Sequence, residues 1–462
     1  MEKVIYLLGA MLVLSGCSFA PNYSKPATVA DKEQLIKPGA TGAARTLYLK
    51  DIFTEHQPLL ETLNHALRNN YDLQTSILKL KSANAQTFGA RADLLPPVAL
   101  SATRSTSQVE STSLFTGKTV RQKNKVNKSA LGLDSYEVDI WGRKSSEITR
   151  LKHESAYNKH SLSAVRLTLL ADLSTTWFET LSLIKIWHIY QEKLSSLETI
   201  ERKINILSQH GRMDPVIYSK FFSGKTNDVM SMTAIEKNIS FNLDKIEYLS
   251  GFVSPWLNHA SWKTINPDFS LPEIPQAISS HVIFNRPDVL AAEEAIKAAN
   301  GSIGAARAAF LPVFNIYGEA YHPSNTFSDI IGNLTHNWSL SPSVIIPIFS
   351  WPKYYANLQF AETQQEISLV NYKDVVANAL LDLKDASDAL NLYRSHFAYS
   401  EKELERHTRN FSKISKRHAR GYIDLYSYYE AVDILSTAKI EVESNRKQAM
   451  DNVIILLKSI GG

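Results

Sequence analysis

The 462-residue chain carries one cysteine, Cys17, so no intrachain disulfide and no multi-thiolate metal site is available to it. It lacks an excess of charge of either sign. The 50 Lys and Arg are interspersed with 46 Asp and Glu, which gives no basic patch and no case for nucleic acid. After residue 16 no uninterrupted apolar run reaches the ~20 residues of a membrane-spanning helix. Any crossing of a bilayer therefore falls to strands. Catalytic signatures are absent too: no HExxH, no cysteine pair, no phosphate-loop glycine pattern and no G-x-S-x-G. The thirteen histidines are scattered, and His418 reads as a surface residue rather than a ligand. Gly301-Ser302-Ile303-Gly304 sits in an Ala-rich helical stretch, where small residues permit close packing. Nothing in the chain argues for an enzyme, a cofactor or a metal.

Glycine and proline are missing from two long windows, Arg143–His210 and Lys353–Arg420, each 68 residues (210 − 143 + 1 and 420 − 353 + 1). Unbroken helices of that length run roughly 100 Å, far beyond the usual globular range. Apolar residues recur at three- and four-residue steps, at Leu170, Leu173, Trp177, Leu181, Ile184 and Trp187, then at Val376, Leu380, Leu383 and Leu390. That is the spacing of packed, coiled-coil-like rods. Each window ends in the same punctuation, Gly211 to Pro215 and Gly421 to Leu425. Glycine supplies the left-handed residue that stops a helix. Asp214 and Asp424 cap the next one, with Pro215 at its first position. Two helical hairpins are expected, returning through 215–249 and 425–458. Gly224 weakens the first return helix on propensity and has no assigned role.

The windows belong to a duplication. Asp72 to Pro96 matches Asp288 to Pro312 without a gap at an offset of 216, and Gly211, Asp214 and Gly251 match Gly421, Asp424 and Gly461 at 210. A repeat this long builds one pseudo-symmetric object rather than a single asymmetric site. Upstream of each window, strand-like segments bracket polar stretches: Val98–Thr106 and Ser129–Asp139 around 107–128, and Val313–Tyr321 and Asn337–Ile346 around 322–336. Trp338, Leu340, Val344 and Ile346 alternate with Ser339, Ser341, Ser343 and Ile345, the period of a sheet with two different faces. Four strands cannot close a barrel, and open edges are costly in a bilayer, so several chains must contribute to one barrel. The chain divides as a signal segment 1–16, a lead-in 17–60, a first repeat 61–251, a linker 252–280 and a second repeat 281–462.

The start of the chain reads as a secretory signal: polar Glu2-Lys3, a mostly apolar Val4 to Leu14, then Leu14-Ser15-Gly16-Cys17. That end resembles the bacterial lipobox, in which the Cys becomes the lipidated first residue. The alternative is a buried free thiol behind an ordinary signal peptide. Ser18, in place of Asp, favours the outer membrane over the inner one.

Cys17 to Pro26 resembles the mature start of TolC-like outer-membrane efflux lipoproteins, the NodT group. Ala66 to Leu73 and Tyr136 to Arg143 resemble that family's first helix and its junction from strand to long helix. The most specific stretch contains Arg286-Pro287-Asp288, Ala292-Glu293, Ile303 to Arg307 and Phe310-Leu311-Pro312. Two departures stand out: Pro347 to Lys353 has Pro352 where members carry Gly, and the Trp expected near residue 47 is missing. The resemblance runs from Cys17 to Gly461. It implies a mainly α fold with a small β part: four strands per chain in a trimeric twelve-stranded barrel, continued by a long coiled-coil α-helical periplasmic barrel.

The resemblance also implies a function: passive export of small toxic molecules from a bacterial outer membrane. The expected partners are two further copies of the chain, outer-membrane lipid, a periplasmic adaptor and an inner-membrane transporter, of the RND class first and ABC or MFS otherwise. The hairpin tips at Gly211, Asp214, Pro215, Gly421 and Asp424 would dock the adaptor. A gate would be formed by Glu430 as an acidic ring, Tyr426 one turn earlier as the bulky residue, and Ser427 at a second ring position. Three symmetric carboxylates at a constriction raise the local cation concentration. The bland reading makes Glu430 a solvated charge and Tyr426 a packing residue. Val216 and Lys220 occupy the matching first-repeat positions, so only the second hairpin looks built to constrict. Two rivals remain: a duct for type I protein secretion, and a lipid-anchored coiled-coil spacer without a channel.

Overall fold

The computed structural model describes residues 19–27, 56–112, 117, 119–274, 280–324 and 337–461. Cys17, Ser18 and the position near residue 47 lie outside them. The elements follow one order twice. Helix α1 (Gln57–Asn69) leads into α2 (Tyr71–Ala92), strands β1 (Val98–Thr112) and β2 (Thr119–Val138), and helices α3 (Arg143–Gln209) and α4 (Pro215–Ser250). The second half repeats helix, strand pair and helix pair as α5 (Pro287–Ala308), β3 (Val313–Ser324), β4 (Asn337–Ile345), α6 (Trp351–Ala419) and α7 (Leu425–Ser459). The two windows without Gly or Pro are helices of 67 and 69 residues. The second begins at Trp351 rather than Lys353, with Pro352 in its first turn, where a missing N–H costs nothing.

The described residues form two compact units, each drawing on both halves of the chain. One gathers the described parts of Met1–Pro26, Leu80–Asn158 and Ala292–Tyr372; the other gathers those of Ala27–Lys79, Lys159–Ala291 and Lys373–Gly462.

The first unit holds a four-stranded antiparallel sheet in the order β1-β2-β3-β4. Its edges, β1 and β4, have no partner strand among the described residues. The first two strands are longer than their sequence suggests. Pairing runs without a break from Val98↔Leu133 to Thr112↔Thr119, through most of the polar stretch expected to be loop. Polarity misled here because the outer rungs form a ribbon exposed on both faces. Such a strand needs extended-chain formers such as Thr and Val, not buried apolar residues. Below the sheet, Gly301 lies against the backbone of Arg150 and Ser146, and Gly304 against Ser146 and Ala20, so the small residues do permit close packing of α5 on α3. The Thr87 hydroxyl ties α2 to α3 by donating to the Leu151 carbonyl at 3.1 Å.

The second unit is built on the apolar seam of α3. Leu173, Trp177, Leu181, Ile184 and Trp187 are buried, and Leu170 is half-buried. Trp177 stacks on Trp256 at 5.9 Å and Phe178 meets Phe269 at 5.1 Å. On α6, Val376, Leu383 and Leu390 are likewise buried.

Candidate functional site: the hairpin tips and the two-faced sheet

Both tips are cut by the same backbone device. Gly211 and Gly421 adopt φ of 65° and 77°. The N–H groups of Arg212 and Tyr422 reach back to the carbonyls of Leu207 and Arg417, at 2.9 and 3.0 Å. This is the wrap that satisfies carbonyls left over at a helix C-terminus. Asp214 accepts from the Val216 N–H at 2.7 Å, with Pro215 opening α4. Asp424 accepts from the Ser427 hydroxyl at 2.6 Å and from its N–H at 2.9 Å. That double donation, the hydroxyl's above all, holds the Asp424 carboxyl below the usual carboxylate range.

The three residues expected to form a gate, Tyr426, Ser427 and Glu430, fall on the first turns of α7. Tyr426 and Glu430 stand one turn apart, and the Glu430 carboxylate, an acceptor for the phenol, raises the Tyr426 pKa. The Glu430 side chain is exposed, and Tyr426 packs by one side on an apolar cluster. Ser427 gives its hydroxyl to the helix cap. The matching first-hairpin residues, Val216 and Lys220, are both exposed. His418 is not a free surface residue. It is half-buried, its ring stacks on Tyr428 at 4.6 Å, and Nδ1 lies 2.9 Å from the Ile423 carbonyl, across the turn.

Sequence reasoning missed what fastens this second hairpin to the first. Leu197, Ile200 and Ile204 of α3, Phe221 of α4, and Tyr429 and Val432 of α7 form one buried cluster. Gly224 belongs to it: α4 runs unbroken through this residue, and the Tyr429 hydroxyl occupies the space a side chain would take. Beside it the Lys193 ammonium, 6 % exposed, lies 2.7 Å from Asp228 of α4 and 2.6 Å from Asp433 of α7. Burial alone would lower the Lys193 pKa; the bonds and charges of the two carboxylates outweigh it and hold the lysine charged. The signal was in the pattern. Lys193 stands four residues before Leu197, and Asp228 seven after Phe221, both on otherwise apolar stripes.

The sheet has two unlike faces, which its register defines. On one face Val98, Leu100, Leu131, Leu133, Gly318 and Ala320 are flanked by Phe314, Ile316, Trp338, Leu340 and Val344. On the other lie Ser101, Thr103, Lys128, Asn315, Glu319, Ser339, Ser341 and Ser343. The apolar face is bare: Leu100 is 77 % exposed and Trp338 73 %. Among the described residues no helix is long and apolar enough to cross a membrane.

The specific motif of the second half is architectural. Arg286 binds Asp288 at 2.8 Å and Asp382 at 3.1 Å, and points a third N–H at the Ser459 carbonyl. Pro287 opens α5. Glu293 pairs with Lys297 at 2.8 Å, Arg307 with Glu362 at 3.3 Å, and the Pro312 carbonyl accepts from the Trp141 indole at 2.8 Å. These contacts lock helix ends and the strand junction, and no cluster of metal-binding side chains occurs among the described residues.

Known proteins share this fold. A curated toluene efflux pump outer membrane protein of Pseudomonas putida, TtgI, is 23 % identical over 98 % of this chain and 97 % of its own. The cation efflux system protein CusC of Escherichia coli K12 is 26 % identical over 83 % and 82 %. Among solved structures, the Campylobacter jejuni CmeC outer membrane channel superposes with a TM-score of 0.84 at 21 % identity, over 96 % of this chain and 95 % of that one. The open-state MtrE outer membrane channel of Neisseria gonorrhoeae gives 0.80 at 22 %, over 96 % and 98 %. The family model for outer membrane efflux proteins matches residues 62–213 and 278–462, taking in both strand pairs, both long helices and the whole of the second tip. The chain belongs to the outer membrane efflux protein family.

Proposed function

We propose that this chain is the outer-membrane duct of a tripartite export system. Three copies assemble, and small toxic compounds pass through them from a periplasmic adaptor and an inner-membrane pump, of the RND class first, to the exterior. One observation carries the reading: a four-stranded sheet with an exposed apolar face and two edges, β1 and β4, that no strand among the described residues covers. In hydrocarbon each unpaired backbone group costs several kcal/mol, so such edges pair with neighbouring copies until the sheet closes. Four strands from each of three chains close a barrel within the range such proteins use. The nine residues of β4 suit a tilted crossing of ~9–11. The apolar face then meets lipid and the Ser- and Asn-rich face lines the lumen. The relatives named for toluene and for cation efflux support small cargo.

In this reading the chain is organised as two repeats, 61–251 and 281–462, joined by the linker 252–280. Cys17 carries the lipid anchor after removal of residues 1–16. The tips at Gly211, Asp214, Pro215, Gly421 and Asp424 meet the adaptor. Tyr426 and Glu430 narrow the second hairpin, with Ser427 holding the cap that orients them. The test is the mass of the detergent-extracted protein together with its single-channel conductance in a planar bilayer. A trimer with small, cation-selective openings is expected. A monomer that never conducts would overturn the duct.

A further inference from the structure

Beyond the apolar band, the first strand pair continues outward. From Ser105↔Val126 to Thr112↔Thr119 it is a two-stranded ribbon with no third strand among the described residues. A bare ribbon is only marginally stable in water, so what its surface meets matters. The period-two alternation keeps the faces of the sheet, and β1–β2 pairing has no register shift. On β1 the face that begins Val98, Leu100, Ala102 continues with Arg104, Thr106, Gln108 and Glu110. On β2, Leu133, Leu131 and Ser129 continue with Asn127, Lys125, Lys123 and Arg121. The first charges past the apolar band on its own face are thus all cationic: Arg104, then Lys125, then Lys123.

Their pairing sets them apart from the other charges of the sheet. On the polar face, Lys128 is neutralised by Glu319 at 2.6 Å and covers the Tyr321 ring. At the far end of the ribbon Arg121 meets Glu110, directly across the ladder, at 2.5 Å. Arg104, Lys123 and Lys125 are exposed and form no ion pair among the described residues. Arg104 and Lys125 are diagonal neighbours, as Arg104 faces Asn127 and Thr106 faces Lys125. Like charges so close on one strand pair repel, and an anion between them relieves the repulsion. Trp338, on the same face and paired with Ala320, marks the rim just below, where aromatic residues settle at a lipid–water boundary.

The geometry points to a lipid-headgroup contact: Arg104, Lys123 and Lys125 bind phosphate groups of the phosphorylated glycolipid in the outer leaflet. This rests on the barrel reading, which turns the apolar face to lipid and the ribbon to the exterior. The intermixing of charge along the chain stops here, because no Asp or Glu lies between Glu110 and Asp134. Lys123 and Lys125 share one side, while Gln122 and Asn124 take the other.

The test is native mass spectrometry of the purified full-length trimer with lipid A, its dephosphorylated form, and lipid A in rising salt. R104Q/K123Q/K125Q should bind lipid A roughly a hundredfold more weakly, at the usual contribution of each basic side chain near an anionic surface. Wild-type binding should weaken with salt and with loss of the phosphates. A charge-matched control, K413Q/K416Q/R417Q on α6, where all three side chains are exposed, should bind as wild type. Equal occupancy in the ribbon variant, equal binding of dephosphorylated lipid, or an equal loss in the control would each overturn the contact. If conductance stays intact, that failure touches this inference alone. A wild-type chain that neither trimerises nor conducts sinks the barrel, and this contact with it.

Discussion

Gly224 lies in the interior of α4, where propensity favours Ala over Gly by about 1 kcal/mol. The structure reverses that preference. A methyl group at this position collides with the Tyr429 hydroxyl, whose ring is fixed edge-on against Phe221 at 5.2 Å. Gly224→Ala should therefore destabilise the assembled protein by about 1 kcal/mol, overpacking outweighing the helix gain. The ring carbon behind the hydroxyl would stand 3.6 Å from the new methyl, an ordinary contact. In a Tyr429→Phe background the same substitution should thus be neutral or stabilising. Thermal midpoints of the four proteins, read by loss of the heat-modifiable band, check this; a Gly224→Ala penalty that persists once the Tyr429 hydroxyl is gone would refute it. From sequence the residue was legible only as a weak point in a helix. Its partner is 205 positions away (429 − 224) on another helix, and no local pattern connects them.

At the scale of elements, the helix ends follow from local chemistry, and the ties between helices do not. Gly211, Asp214, Gly421 and Asp424 stop and restart the chain through bonds within a few residues, so their roles could be read directly. Lys193 ties α3 to α4 and α7 at once, and its burial depends on three helices meeting. Removing the ammonium leaves Asp228 buried without its counter-charge. Lys193→Met should cost about 3 kcal/mol, in the range for breaking a buried pair from one side. Lys193→Met with Asp228→Leu should recover much of that loss, because an apolar replacement of both partners is tolerated far better. Denaturation of the purified protein measures both, and a single variant with an unchanged midpoint would show that the tie carries no weight. Strand length was misjudged for a similar reason. The polar residues of 107–128 look like loop until their pairing in a ribbon is seen.

In the whole molecule, Tyr426 and Glu430 act only if copies bring them together. One turn apart, the bulky group and the charged one share a stripe of α7, so they would meet an opening together. Tyr426→Ala with Glu430→Ala should widen the opening and reduce cation preference while leaving the trimer intact, because neither side chain belongs to the fully buried part of the tip cluster. Single-channel conductance and reversal potentials decide it, and an unchanged double variant would remove the gate from these residues. The sequence by itself determined the duplication, the two long helices, their caps and the alternating strands. Each of these depends on a period, or on a bond spanning a few residues, and local order preserves it. The tertiary structure alone decided that Arg286 and Arg307 are ion-paired to a distant helix, and that Lys193 and Gly224 join two hairpins. It also decided which face of the sheet each cation takes. Those outcomes arise from contacts between segments distant in the chain, where packing geometry rather than sequence spacing selects the partner.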